Sequence, residues 1–270
     1  MNTFVAMSGI RSLFEAYIQS SIHVGFAVIS LVAVTSFQFE IALEQSIYVF
    51  VFAATLLGYN TIKYGWQKGV IFYIPVRYQA LTLMATATVA LLFWTLSWEQ
   101  QLVFLVLGIL VLFYAFPLQK GRNNLRNKQK IKIYWVALVW SVFTGYLPVA
   151  HEYIDTLFAF SVVAHRWVFV ICATLPFEIR DLDSDAPSLR TWPQRFGVSK
   201  TRWIGVLLLV IVGLFALIAQ WQPPMVSLLI HSVLIIALLA ARTSQGAYYA
   251  SFWVEAIPIL WLFLTWYFLN

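Results

Sequence analysis

Leu157–Asp185 reads LFAFSVVAHRWVFVICATLPFEIRDLDSD, an apolar run that passes without a break into carboxylates. Leu157–Phe177 is long enough to cross a bilayer as helix, which takes about 20 residues. The acids then stand where such a helix leaves the apolar layer. If the helix carries on past Phe177, offsets of three and seven residues stack Glu178, Asp181 and Asp185 along one stripe, with Asp183 turned away. Crowded carboxylates repel, so at neutral pH they hold a proton or recruit cations. A divalent ion held by oxygen ligands suits them best. A solvated helix cap is the plainer reading. Against it, a helix C-terminus is the negative end of the macrodipole, and ionisable groups at membrane helices default to function.

The rest of the chain is of the same kind. It has 270 residues, 61% hydrophobic and 10% charged, with mean hydropathy +0.81, which leaves too little polar surface to cover a water-soluble globule. Apolar stretches fall at Tyr17–Phe37, Gln45–Tyr59, Tyr78–Trp98, Leu102–Leu118, Ile133–Val149, Leu157–Phe177, Ile204–Trp221, Val226–Ala241 and Ala247–Leu269. They predict an all-α polytopic membrane protein, a bundle of nine transmembrane helices, with the second, fourth and eighth on the short side. No linker, composition break or fixed-period repeat divides it, so residues 1–270 read as a single transmembrane domain.

Charge placement tests the count, because cytoplasmic loops collect Lys and Arg. With the N-terminus inside, every one of the 17 basic residues except Arg166 falls on the cytoplasmic side. The opposite loops hold Glu40, Glu44, Glu99, Glu152 and Asp155 with no Lys or Arg. A miscounted helix would invert the pattern downstream, so the expected topology is N-in and C-out in the cytoplasmic membrane, with polar chemistry on the cytoplasmic face. The net charge of +6 then describes loops facing anionic headgroups or phosphorylated ligands, and no nucleic-acid partner is expected. Trp94, Trp98, Trp221, Trp253 and Trp266 sit near span ends, as interfacial belts do. Cys172 is alone, so no disulfide or cysteine-based metal site forms within one chain. The N-terminus reads as an uncleaved first span.

Beyond Asp185 the chain continues Ala186-Pro187-Ser188-Leu189-Arg190-Thr191-Trp192-Pro193-Gln194-Arg195-Phe196-Gly197. Together with Glu178, Asp181 and Asp185, this stretch resembles the second aspartate-rich motif of the UbiA superfamily of intramembrane prenyltransferases, in which an acid series at a helix end precedes a Thr-Leu-Pro-x-x-x-Gly-like loop. Trp192 stands at the Leu position. Nine spans with the N-terminus inside, and the Tyr114–Lys120 stretch after the fourth span, are similar to the family as well. The resemblance implies Mg²⁺ held against a prenyl diphosphate by Glu178, Asp181 and Asp185. It implies transfer of the prenyl group to a hydrophobic or aromatic acceptor, a quinone precursor or a lipid. Diphosphate leaves only if its charge is neutralised as the allylic cation forms. An apolar bundle would keep water from quenching that cation.

The departure lies after the second span, where the family has a further acidic motif. This chain reads Asn60-Thr61-Ile62-Lys63-Tyr64-Gly65-Trp66-Gln67-Lys68. Asn60 stays at the leading position, while the acidic positions hold Thr61, Tyr64 and Lys68. Lys offers no acceptor oxygen, so no second Mg²⁺ site follows. Lys63 and Lys68 either touch phosphate directly or are ordinary positive-inside residues, and both readings stand. Asn60, Lys63, Lys68, Tyr114, Lys120, Arg190 and Arg195 are the expected substrate-binding residues. His165, Arg166 and Glu255 are secondary candidates: Arg166 for a snorkelling, interhelical or binding role, Glu255 to face a cavity or pair with Arg242. His23 and His231 read as satisfied interhelical histidines. Two other functions remain: a family member that binds an isoprenoid lipid without turnover, and, on span count alone, a transporter.

Overall fold

The computed structural model describes residues 2–64, 66–67, 70–71, 74–116, 131–152, 155–219, 221 and 223–269. Among them the chain is built from ten α-helices: α1 Asn2–Gln19, α2 Ile22–Phe39, α3 Gln45–Tyr64, α4 Val76–Phe93, α5 Trp98–Ala115, α6 Lys132–Gly145, α7 Thr156–Arg180, α8 Trp192–Ile218, α9 Pro224–Ala240 and α10 Ile257–Leu269. Short 3₁₀ turns at Leu147–Val149 and Pro187–Leu189, and a π-helical turn at Tyr249–Val254, extend three of the joints. The only strands among the described residues are an antiparallel pair of two residues each, Trp66–Gln67 against Val70–Ile71. The expected all-α class holds. Eight segments are long and apolar enough to cross a membrane, and α9, at 17 residues, is a shorter apolar helix.

The first expected span, Tyr17–Phe37, is interrupted. Ser21 adopts a left-handed backbone (φ 70°, ψ 10°) that ends α1 and lets α2 start at Ile22. That conformation is costly for a residue with a Cβ. Here it is held by polar groups of α3: the Ser21 hydroxyl donates to Asn60 Oδ1 (3.4 Å) and accepts from Lys63 Nζ (2.9 Å). α5 begins at Trp98, ahead of the expected Leu102, because Ser97 and Gln100 form a reciprocal capping box (3.3 and 3.1 Å) that fixes its first turn.

Two apolar cores meet at α2. Leu31 and Val34 pack with α6–α10, whereas Val24, Val28 and Val32 pack with α3, α4 and α5. Leu83, Leu91, Leu105 and Ile109 on α4 and α5 are exposed instead, the outward apolar face that a lipid-solvated helix presents. Where α7, α8 and α9 cross, a Cβ at Gly205 would run into the Leu238 side chain and come within 2.7 Å of the Leu175 side chain, so these two leucines pack into the space that glycine leaves.

Three hydrogen bonds and an ion pair bring alternate helix ends together. The starts of α2, α4, α6 and α10 and the ends of α3 and α7 share one end of the bundle, as Lys63–Ser21, Tyr78–Gln19, Lys132–Asp185 and His23–Phe252 attest. All the described basic residues except Arg166 lie toward this end.

Candidate functional site

Glu178 sits in the last turn of α7 and is 2% exposed. Its Oε2 accepts the backbone N–H of Trp192 at 3.1 Å, which places a carboxylate on the N-terminus of α8, the positive end of that helix. α7 stops at Arg180. Asp181 is its C-cap, and the chain turns so that Asp185 N bonds back to Asp181 O at 2.7 Å. The single stripe of three acids expected from a continuing helix is therefore not formed, because Asp185 has left the helix. Asp181 is clasped by its neighbour Arg180 through two bonds, 2.7 and 3.0 Å. Asp185 Oδ2 lies 3.5 Å from Lys132 Nζ, an ion-pair distance without hydrogen-bond geometry.

The three acids are near enough for the charges of Asp181 and Asp185, and of Lys132, to act on Glu178. Oxygen donors of this kind suit magnesium in chemistry. Glu178 and Asp181 are turned to protein donors while Asp185 Oδ2 has no hydrogen-bond partner, and among the described residues no group of three His, Cys, Asp or Glu side chains is placed to hold a metal ion.

The loop after the acids is built by its own sequence. Pro187 opens a 3₁₀ turn that Arg190 closes in the left-handed region (φ 49°). Gln194 Oε1 then accepts the Thr191 N–H (3.0 Å), while its Nε2 donates to the carbonyls of Asp185 and Ala186 (3.1 and 3.2 Å). Gly197 has φ 78° and ψ 161°, a backbone open in practice to glycine, and there α8 bends from its first turn into its long apolar run. Arg190 and Arg195 line one open groove of about 850 Å³ with Asp183, Asp185 and Phe196. Arg195 lies over the Phe196 ring at 4.7 Å.

On α3, Asn60 is fully buried, donates to Thr82 Oγ1 (2.8 Å) and accepts from Ser21. It ties α3 to α4 and to the α1–α2 break. Lys63 Nζ donates to Gln19 O (3.3 Å) as well as to Ser21, and lies 5.9 Å from the Tyr59 ring. Tyr59 Oη accepts from Trp140 Nε1 (3.0 Å), and Tyr114 is buried on α5 close enough to act on Tyr59. Lys68 and Lys120 lie outside the described residues.

The group ranked low in the sequence that the fold brings to this end is Glu255. The charges that reach it come from Lys63 on α3 and Arg180 on α7, not from Arg242. Tyr17, on α1, lies beside it. Burial first, and the Glu255 charge second, push the Tyr17 hydroxyl above its usual range, so at neutral pH it remains a proton donor. An acid within an apolar stretch, three residues before Pro258, was the available signal.

The remaining candidates separate cleanly. His23 is bonded at both nitrogens, to Tyr17 Oη and Phe252 O (2.9 Å each), as expected. His231 is bonded at Nδ1 alone, to Ser227 O, and His165 has neither nitrogen paired among the described residues. Arg166 is fully buried and interhelical. Compared with protein-family models, with curated proteins and with solved structures, the chain matches none.

Proposed function

We propose that this protein binds an isoprenoid diphosphate at the basic end of its bundle and transfers the prenyl group to a hydrophobic acceptor. One observation carries the reading. The charges of Lys63 and Arg180, far apart in sequence, both reach Glu255, and Arg180 stands at the acid-capped end of α7, where an apolar bundle opens to polar loops. A lipid with a charged head and a long apolar tail matches that division. Fixed cations neutralise a diphosphate without a bridging metal. In this reading the diphosphate charge is met by the fixed cations themselves. The topology that goes with this reading is nine crossings, N-terminus inside and C-terminus outside, in the cytoplasmic membrane, which sets the basic end in the cytoplasm.

The clasp of Asp181 by Arg180 favours a second reading, an isoprenoid-binding protein without turnover, since that acid is already satisfied by a protein cation. The deciding experiment follows farnesyl diphosphate binding and diphosphate release by the purified protein in detergent, with Mg²⁺ or with EDTA, across an acceptor panel. Expected are saturable binding without magnesium, an affinity at least about tenfold weaker in Lys63→Met, as loss of a charged contact implies, and acceptor-dependent release. Release that requires Mg²⁺ and disappears in Asp181→Asn would return charge neutralisation to the acids. Binding without release would select the second reading, and no binding would reject both.

A further inference from the structure

Glu255 follows directly on the π-helical turn Tyr249–Val254. The cause of that turn is in the sequence: Pro258 has no N–H for the Val254 carbonyl, and its ring crowds the turn before it. The Glu255 N–H accordingly reaches back five residues to Ala250 O at 3.2 Å. Such turns are uncommon and recur at functional sites, where the extra residue re-aims a side chain.

This one is also pinned from outside. The His23 ring stacks on Phe252 at 4.8 Å, and its Nε2 bonds Phe252 O at 2.9 Å. A carbonyl only accepts, so Nε2 carries the proton and Nδ1 accepts from the Tyr17 hydroxyl, also at 2.9 Å. Phe14 adds an edge contact to Phe252 at 5.1 Å. Two helices, α1 and α2, therefore hold the turn that presents Glu255.

The carboxylate itself takes part in none of the ion pairs within 4 Å among the described residues. Lys63 donates to Ser21 and Gln19, and Arg180 to Asp181, so the cations whose charge reaches Glu255 have nearer acceptors of their own. Its other neighbours by charge are the hydroxyls of Tyr17 and Tyr59. A carboxylate offers two acceptor oxygens, and here that capacity is left for a ligand. The two cations beside it disfavour a cationic ligand such as an amine and leave a neutral one with a proton to give.

We propose that Glu255 is the proton acceptor for the transfer, and that the acceptor substrate is a neutral, lipid-soluble phenol or alcohol. This rests on the prenyl-transfer reading above. The acceptor oxygen bonds the allylic carbon, and the bond from that carbon to the diphosphate oxygen breaks. The electron pair of the broken bond leaves with the diphosphate, and the proton of the acceptor passes to a Glu255 oxygen.

The test uses the full chain in detergent, farnesyl diphosphate and a panel of simple phenols and alcohols, with Glu255→Gln and Glu255→Asp beside the wild type. Glu255→Gln keeps size and an acceptor oxygen but cannot take the proton. Its acceptor-dependent kcat is expected to fall at least about 100-fold, the lower range for a lost general base, with donor Kd within about twofold and an intermediate rate for Glu255→Asp. A Glu255→Gln protein that turns over at the wild-type rate overturns this role and leaves prenyl transfer standing. Donor affinity that falls in step with the rate overturns it too, since that marks a structural carboxylate. A wild type that binds donor yet releases no diphosphate with any acceptor removes the transfer reading and this role together.

Discussion

Arg166 makes four hydrogen bonds from a fully buried guanidinium: Nη1 to Leu31 O (3.1 Å) and Thr144 Oγ1 (3.3 Å), Nη2 to Thr35 Oγ1 (3.3 Å) and Gln38 Oε1 (3.1 Å). Its face lies 5.2 Å from the Trp261 ring. The acceptors belong to α2 and α6 and the ring to α10, so one side chain of α7 joins three other helices. Lys cannot replace it, because three donors on a point charge do not reproduce a planar fork. Arg166→Lys is expected to cost about 2–4 kcal/mol, the scale of lost charged hydrogen bonds with buried acceptors left open. The thermal midpoint in detergent measures this, and a variant as stable as wild type would remove the hub role. Arg166 was conspicuous in the sequence as the basic residue away from the basic loops, but interhelical and binding roles looked alike there. Its acceptors are mostly carbonyls and hydroxyls scattered over two other helices, and no spacing announces them.

Element by element, the long apolar runs were legible because a span needs about 20 apolar residues whatever it packs against. Their ends were less so. The α1–α2 break falls at Gln19-Ser20-Ser21, where Ser21 meets Asn60 and Lys63 from α3, a tertiary contact that no local spacing announces. The acid stripe failed for a related reason: α7 ends at Arg180, and the turn that follows is fastened by Gln194 from the next helix. The same loop did carry one conformational signal, Gly197, whose left-handed backbone sets the bend into α8. No heavy atom lies within 4 Å of where its Cβ would stand, so any penalty of Gly197→Ala comes from backbone strain and not from a clash. The expected loss is about 1–3 kcal/mol, with earlier proteolytic cleavage near residue 197 than in wild type. Equal cleavage rates and an unchanged midpoint would show that the bend relaxes at no cost.

The bundle gathers its described basic residues, Arg166 apart, at one end regardless of how it sits in a membrane, because the contacts joining Lys63 to Ser21, Lys132 to Asp185 and His23 to Phe252 fix which helix ends are neighbours. Orientation needs one further step. Because Lys and Arg are retained on the cytoplasmic side during insertion, the proposed topology puts the end bearing Arg180, Arg190, Arg195, Arg202 and Arg242 in the cytoplasm and the end with Glu40, Glu99 and Glu152 outside. Cys172 is the sole cysteine and is buried, which makes thiol labelling a clean probe. On intact cells, a membrane-impermeant maleimide is expected to label Glu152→Cys and to spare Thr243→Cys until the membrane is opened. The two positions are separated by α7, α8 and α9, an odd number of crossings, so they must differ if α9 spans despite its 17 residues. Labelling of both from outside would mean that α9 does not cross, which would put the π turn and Glu255 on the opposite side from Lys63. The contacts that join α10 to the start of α2 would then be incompatible with the membrane, and with them the headgroup site itself.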